Sequence, residues 1–139
     1  MLIKDVDQLS AACKVRCEAF LARCKDLRFD VAIVETKRLM RTQLAYYSKG
    51  REEEAYVDKL YILADLPKPS NYNIVTWTMD SKHLTGDAFD ACPLDKNGKL
   101  WWNAPDQVWE AMAKIGEGVG LSAGRRFKTP DSPHFQVRA

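Results

Sequence analysis

The chain contains only two histidines, and an aspartate lies close to each of them. His83 precedes Asp90 by seven residues in SKHLTGDAFD, and His134 follows Asp131 by three residues in PDSPHF. Two imidazoles and one carboxylate form a ligand set that catalytic zinc accepts, with a fourth position left for water. A carboxylate that is not a ligand can then serve as the general base. The residue types therefore make His83, Asp90 and His134 candidate zinc ligands and Asp131 a candidate base.

Simpler interpretations exist for the same residues. Two histidines in a chain of 139 residues can be ordinary core or surface residues, and a short spacing match has many chance occurrences. Asp131 can be a turn residue ahead of Pro133, and Gly86 can be no more than a turn glycine. Spacing alone therefore favours the simpler interpretation over the metal site.

A first helix is predicted from an apolar stripe that recurs every three or four residues. Asp5 and Gln8 suit a capping box at its start, and it is expected to run to about Lys25. The stripe consists of Val6, Leu9, Cys13, Cys17, Phe20, Cys24 and Leu27. Three of the four cysteines lie on it and no C-x-x-C pair occurs, so these cysteines are predicted to be buried hydrophobes.

The remaining elements follow from periodicity and turn signals. Strands are predicted at 29–35, 74–78, 87–92 and 132–138, with a further short strand after the Asn-Gly turn in KNGKLWW. A second helix is predicted at 38–50 and a third at 103–120, with Asn103 as its N-cap and Pro105 in its first turn. Helices mixed with short strands, without regular βαβ alternation, indicate the α+β class, here a small antiparallel sheet flanked by about three main helices.

Composition limits the classes of function. The length predicts one domain over residues 1–139, and 46% hydrophobic with 29% charged residues is typical of a soluble globular protein. A net charge of +2 gives no reason to expect nucleic-acid binding. No apolar run reaches the length of a membrane span, and the N-terminus shows no secretory signal. We therefore expect a cytoplasmic start, no stable membrane association, and a monomer.

Four blocks of the sequence resemble a known family of zinc peptidases. SKHLTGDAFD has every fixed position of the signature S-x-H-x-x-G-x-A-x-D, and PDSPHF is similar to the second signature, D-x-x-H. ETKRLMRTQLAYYSKGR resembles the family's T-x-R helix segment, and NIVTWTMDSKH its approach to the first zinc histidine. The family comprises D-alanyl-D-alanine carboxypeptidases and L-alanyl-D-glutamate endopeptidases. The chain is most similar to the phage and bacterial endopeptidase branch.

The resemblance implies roles for six residues. His83, Asp90 and His134 would bind Zn²⁺, and Asp131 would act as general base and then as proton donor to the leaving amine. Arg38 would bind or orient the substrate, although it can equally be a surface residue of a basic helix start, and Ser81 would support the metal-site loop or the substrate. Gln43 and Tyr46 match the family segment but can equally serve packing or capping.

Two departures from the family pattern concern substrate preference more than metal binding. Arg125 and Arg126 stand where relatives commonly have small or aromatic residues, and Gln136 stands where relatives often have glutamate. The arginines can meet peptide carboxylates or remain solvated loop charges, and the second interpretation is favoured.

The function expected from the resemblance is that of a zinc peptidoglycan endopeptidase which cuts the L-alanyl-D-glutamate bond of the stem peptide. An endolysin that stays in the host cytoplasm until lysis, and then acts on the cell wall, fits this expectation. The alternatives are a D-alanyl-D-alanine carboxypeptidase of the same family, a non-catalytic wall-binding module, and a small structural or nucleic-acid-binding protein with incidental histidines.

Overall fold

A four-stranded antiparallel sheet forms the centre of the structure, a computed structural model that describes residues 2–76 and 78–138. The strands are β1 (Val31–Glu35), β2 (Ala88–Pro93), β3 (Leu121–Ala123) and β4 (His134–Val137), and their spatial order is β1-β2-β4-β3. Three of the predicted strands are therefore present. The register pairs Asp90 with His134 on one side and with Glu35 on the other, so polar residues from three strands lie in one row across the sheet.

Four helices surround the sheet in the described part of the chain: α1 (Ala11–Asp26), α2 (Met40–Ser48), α3 (Glu54–Leu63) and α4 (Asp106–Gly118). The predicted α+β class and the small antiparallel sheet are confirmed, with one helix more than expected. The extra helix is α3, in the acidic segment REEEAYVDKLYIL. None of the helices among residues 2–76 and 78–138 is long and apolar enough to cross a bilayer.

The first helix begins later than predicted. Asp5 caps a separate 3-10 turn, Val6–Gln8, by accepting a hydrogen bond from Asp7 N at 2.9 Å. Leu9 is extended, and the α-helix starts only after Ser10, whose Oγ accepts from Cys13 N at 3.3 Å. The apolar repeat continues through this break because a 3-10 turn also places side chains three residues apart on one side.

The main core lies between α1, α4 and the inner face of the sheet. Phe20, Phe89 and Phe135 meet there with ring centroids 4.9–5.7 Å apart, and burying each ring contributes about 1.5–3 kcal/mol. All four cysteines are buried and free, which confirms the predicted burial of the three on the helix stripe and adds Cys92. Burial raises the pKa of Cys17 to about 12, so this thiol behaves as a hydrophobe rather than as a nucleophile.

A second, smaller apolar cluster joins α2 and α3. It supports one wall of the candidate active site that is described in the next subsection. Its buried members are Ala45, Val57, Tyr61 and Ala64. The chain then passes closely over Gly50 (φ +79°), where a Cβ would lie 2.8 Å from Ile74 N. The strand predicted at 74–78 is wrong for 74–76 and 78, which form no strand, and Trp77 lies outside the described residues. The β-branched residues of this segment have no neighbouring strand to pair with.

Two smaller predictions also differ from the structure. Pro105 rather than Asn103 is the N-cap of α4, because Pro105 has extended backbone and helical geometry begins at Asp106. The Asn-Gly turn is present, with Gly98 at φ +77°, but it leads only to an isolated bridge between Leu94 and Leu100 instead of a strand.

Candidate active site

The three predicted ligand residues come together at one end of the sheet. Asp90 Oδ1 lies 3.2 Å from His83 Nε2 and 3.4 Å from His134 Nδ1. One potential ligand atom from each residue lies within 4.8 Å of the other two. The imidazole rings are 5.1 Å apart and nearly perpendicular. Three donor atoms can therefore face a single ion from different directions.

Strand register and one short turn bring these residues together. Asp90 in β2 is paired directly with His134 in β4. His83 reaches them from a 3-10 turn, Lys82–Thr85, which Ser81 caps by accepting a hydrogen bond from His83 N at 3.3 Å. Gly86 ends the turn in the left-handed region (φ +76°), which a residue with a Cβ adopts only with strain. The turn thereby points His83 back over the strand that it precedes.

Outer contacts fix which nitrogen of each histidine faces Asp90. Thr36 O lies 2.7 Å from His83 Nδ1, and a carbonyl can only accept, so Nδ1 carries the proton. Gln136 Oε1 lies 2.9 Å from His134 Nε2 and accepts a proton there in the same way. His83 Nε2 and His134 Nδ1 are then the nitrogens that face the Asp90 carboxylate, and in the neutral rings they carry the lone pairs, as in metal-bound histidines.

The electrostatics of the group call for a cation. His83 and His134 are 2% and 7% exposed, and converging lone pairs in such a setting repel one another. Burial raises the pKa of Asp90, but hydrogen bonds from His134 and His83 outweigh burial and hold it well below the usual range. Burial lowers the pKa of His134, but Asp90 outweighs that effect and raises it. The raised pKa of His134 favours a proton at the site when no metal is bound, and the N, N, O donor set fits Zn²⁺ in its place.

Asp131 lies beside this group without joining it. Its Oδ2 is 3.9 Å from His134 Nδ1, and its side chain is 55% exposed. The loop position is fixed because Asp131 N donates to Gly124 O at 2.9 Å and Asp131 O accepts from His134 N at 3.1 Å. Partial withdrawal from water and repulsion from Asp90 raise the pKa of Asp131, although the exposed half of the side chain is screened by solvent. A higher pKa makes the carboxylate a better proton acceptor.

Arg38 lies beside the site and is not a surface helix residue. Its side chain is 11% exposed, and its guanidinium forms two hydrogen bonds to Glu35, one through Nε at 3.1 Å. A further N–H donates to Gln43 Oε1 at 2.8 Å, and the Tyr46 ring lies 4.8 Å from Cζ. Among contacts with the described residues, three of the five N–H groups are used, and one remains on each terminal nitrogen.

A cavity of about 460 Å³ opens over the three potential ligands. Arg38, Ser81 and Asp131 lie in its lining, so all six residues singled out in the sequence border the same space. Thr76 and Thr78 form another part of its wall. Gln43 holds this wall in place, since its amide nitrogen donates to Thr78 O at 2.5 Å.

Arg125 and Arg126 are engaged elsewhere. Arg125 pairs with Asp106 at 2.7 Å and with Glu110 at 2.8 Å, and Arg126 pairs with Glu110 at 2.6 Å and with Glu117 at 3.0 Å. Neither arginine lines the cavity. They are therefore loop charges, as favoured from the sequence, but they are paired with the carboxylates of α4 instead of being fully solvated.

Two functional contacts were missed by sequence reasoning. Gln136 was recognised as a departure from the family, but its contact with His134 was not. Thr36 belongs to the T-x-R segment, yet it contacts the site through its main-chain carbonyl. Because every residue has this group, the residue type does not indicate the contact. For Gln136 a signal was available, because residues two apart on a strand share a face, and His134 precedes it by two.

Comparisons with known proteins agree with this geometry. A family model described as D-alanyl-D-alanine carboxypeptidase matches residues 75–137, which include His83, Asp90, Asp131 and His134. No curated protein sequence matches the chain. The match to the family model, together with the close approach of His83 and His134, confirms the resemblance to the family that the sequence motifs indicated.

Several solved structures share the fold. The L-Ala D-Glu endopeptidase ChiX of Serratia marcescens aligns over 97% of this chain and 84% of its own, with a TM-score of 0.65 and 17% identity. The vancomycin resistance D,D-pentapeptidase VanY, solved in complex with Zn(II), aligns over 93% and 72%, with a TM-score of 0.57 and 12% identity. The LD-carboxypeptidase LdcB aligns over 94% and 66%, with a TM-score of 0.54 and 15% identity.

At these identities the likeness to solved structures shows the fold, and the family follows from the sequence match over the segment that carries the site. Residues 75–137 thus match the model of the D-alanyl-D-alanine carboxypeptidase family, and the chain shares its fold with the zinc-bound VanY structure.

Proposed function

We propose that this chain is a zinc-dependent endopeptidase that hydrolyses the L-alanyl-D-glutamate bond of the peptidoglycan stem peptide. One observation carries the proposal: a buried His83, Asp90 and His134 group with converging donor atoms, and the unliganded carboxylate of Asp131 beside it in the same open cavity. A non-catalytic wall-binding module has no use for such a carboxylate.

In this proposal His83 Nε2, His134 Nδ1 and an Asp90 oxygen hold the zinc ion. When bound, zinc polarises the scissile carbonyl and lowers the pKa of water at the site. The contacts of His83 with Thr36 and of His134 with Gln136 hold a proton on the outer nitrogen of each ring, so the other nitrogen of each ring faces Asp90. Both imidazoles can therefore present a lone pair without first reorienting.

Asp131 is the proposed general base. Its carboxylate accepts a proton from the attacking water as the water oxygen forms a bond to the carbonyl carbon. The same carboxyl group then donates that proton to the departing amide nitrogen as the C–N bond breaks, so the products are a free carboxylate and a free amine. Because the side chain is half exposed at the cavity wall, it can follow the proton from one position to the other.

Arg38 and Ser81 are the proposed substrate-binding residues. The two N–H groups of Arg38 that remain free can donate to a peptide carbonyl or to the developing oxyanion. Glu35 and Gln43 hold the guanidinium in one orientation, which reduces the entropy lost on binding. Ser81 Oγ accepts from His83 N, so its hydroxyl proton is available to a peptide acceptor in the cavity.

The endopeptidase assignment is supported by the structural likeness to ChiX, which is an L-Ala D-Glu endopeptidase. The second candidate is a D-alanyl-D-alanine carboxypeptidase, which the description of the matching family supports.

Mass spectrometry of muropeptides after digestion of purified sacculi separates the two. The endopeptidase releases stem peptides with a new N-terminal glutamate, whereas the carboxypeptidase releases free D-alanine. Absence of both products from the zinc-loaded protein, with wall binding retained, would support the wall-binding module. The Asp131→Asn variant, which keeps the size of the side chain, is the matched negative control.

We further propose that residues 1–139 act as a single monomeric catalytic domain and serve as an endolysin that remains in the host cytoplasm until lysis. The resemblance of the four sequence blocks, taken together, to the phage and bacterial endopeptidase branch supports this role. The purified 139-residue chain should elute as a monomer and reduce the turbidity of sacculi without a partner. Turbidity loss that requires an added wall-binding protein would contradict the single-domain proposal.

A further inference from the structure

The N-terminal segment, residues 3–10, contacts two parts of the chain that hold His83. One is Thr36, and the other is the end of the His83 turn at Gly86 and Asp87. On one side it holds Thr36, whose N–H donates to Ile3 O at 2.6 Å and whose Oγ1 lies 2.9 Å from Asp5 O and 3.2 Å from Ile3 O. Thr36 is completely buried by these contacts. The segment lies outside the stretch that matches the family model.

On the other side, the segment holds the end of the turn. Ser10 N donates to Gly86 O at 2.9 Å, and Ser10 Oγ donates to Asp87 Oδ1 at 2.7 Å. The approach is close, since a Cβ on Gly86 would lie 2.9 Å from Ser10 N and 3.0 Å from Gln8 O. The turn that carries His83 is therefore packed against the N-terminal segment without free space.

Thr36 links the N-terminal segment to the proposed zinc ligand His83. Its carbonyl accepts the Nδ1 proton of His83 at 2.7 Å, and two residues later Arg38 N donates to His83 O at 2.8 Å. We propose that Thr36 is a positioning residue for the zinc ligand His83, and that the N-terminal segment, by fixing Thr36, is part of the metal site. The inference rests on the proposed function only in taking His83 as a zinc ligand.

The physical reason lies in the geometry of a single carbonyl. The direction of Thr36 O fixes both the tautomer and the tilt of the His83 ring, and outer partners of this kind change metal affinity by about 10- to 100-fold. The Thr36 hydroxyl is the side-chain restraint on that carbonyl. Valine has the same branched shape but no hydroxyl. Asp5 O still accepts from Gln8 N at 3.0 Å in its absence, so the substitution removes one restraint without leaving a buried acceptor unpaired.

The test compares the zinc affinity of three variants, measured by competition with a chromophoric chelator well below their unfolding temperatures. Thr36→Val is expected to weaken zinc binding about tenfold. Thr36→Ser, which keeps the hydroxyl, is expected to stay within about twofold of the parent protein. Tyr72→Phe removes a hydrogen bond of 2.7 Å to Asp58 in the second apolar cluster. It is expected to lower the unfolding temperature without any change in zinc affinity.

An unchanged zinc affinity in Thr36→Val, together with a lower unfolding temperature like that of Tyr72→Phe, would show that Thr36 is merely structural and would overturn the inference. A second measurement needs no variant. In the zinc-loaded parent protein labelled with ¹⁵N-histidine, the His83 Nδ1 proton should give a slowly exchanging NMR signal, and a His83 protonated at Nε2 instead would also refute it. Neither readout involves peptide cleavage, so a failure of the proposed peptidase activity leaves both results interpretable.

Discussion

Gln136 Oε1 lies 2.9 Å from His134 Nε2, so a neutral amide two residues along the same strand holds the second nitrogen of a proposed zinc ligand. Both side chains lie on the same face of β4, while Phe135 between them points into the core. An amide accepts a proton from imidazole more weakly than a carboxylate does. This chain therefore orients His134 through a neutral amide instead of a carboxylate.

Substitution of Gln136 should change zinc affinity in a direction set by charge. Gln136→Leu removes the acceptor and is expected to weaken zinc binding at least tenfold, because the ring loses its preferred tautomer. Gln136→Glu supplies a stronger acceptor and is expected to bind zinc at least as tightly as the parent protein. Chelator competition measures both, and equal affinities in the two variants would contradict the orienting role.

Asp131→Asn should separate catalysis from metal binding. The amide cannot accept the proton of the attacking water, so kcat is expected to fall about 100- to 10,000-fold. Zinc affinity is expected to change little, because Asp131 lies 3.9 Å from His134 and outside the donor group. The zinc content of the purified variant and its rate on sacculi decide the matter. A normal rate would show that another group is the base.

Zinc should stabilise the protein more as the pH rises. The pKa of His134 is raised above its ordinary value near 6.5 in the metal-free protein by Asp90, which outweighs the opposing effect of burial. A group with a raised folded pKa stabilises the metal-free protein fully below its unfolded pKa, and this stabilisation is lost as the pH rises through the folded pKa. Zinc must displace that proton, so acid favours the metal-free form.

The measurement is the difference in Tm with and without saturating zinc, taken between pH 5.5 and pH 8. The increment is expected to increase steadily over this range. His134→Ala, which has lost the ligand, serves as the control and should show a small increment at every pH. An increment in the parent protein that does not depend on pH would contradict proton displacement from the site.

The chemistry of the site could be predicted from the sequence because it depends on residue types. His83, Asp90, Asp131 and His134 stand at motif spacings, and Asp90 and His134 lie on two predicted strands, which pair with each other. The orientation of the ligand side chains could not be predicted in the same way. Thr36 acts through a main-chain carbonyl, and the close packing of the N-terminal segment against Gly86 depends on atoms that every residue type shares.

Errors in the fold have similar physical causes. Ile74, Val75 and Thr76 have the β-branched side chains of a strand, but a strand also requires a partner, and here α2 and its Gln43 occupy that side. The acidic run at the start of α3 concealed an apolar face formed by Val57 and Tyr61. In the first segment tertiary contacts overrode the strand propensity, whereas in the second no helix was predicted although an apolar face is present.

The pairing of Arg126 with α4 should matter for stability and not for substrate. Arg126 makes hydrogen bonds to Glu110 and Glu117 at 2.6–3.3 Å on the protein surface, where ion pairs are weak and screened by salt. Arg126→Gln is expected to lower Tm by a few degrees at low ionic strength, with the difference largely lost in 1 M NaCl. KM on stem peptides is expected to remain unchanged, whereas a raised KM would assign Arg126 to substrate carboxylates.

Gly124 packs directly against the proposed base Asp131 and the proposed ligand His134, and we expect it to tolerate no side chain. A Cβ at this position would lie 2.8 Å from His134 Cβ and 3.1 Å from His134 O, and closer still to Asp131 O. These contacts are main chain or Cβ atoms, which cannot rotate away, so Gly124→Ala must displace the loop that carries Asp131. Zinc affinity and kcat should therefore fall together. Gly118→Ala, in open space at the end of α4, is the matched control and should leave both unchanged. A Gly124→Ala protein with normal zinc affinity and normal turnover would show that the spacing between Gly124 and His134 is not needed by the site.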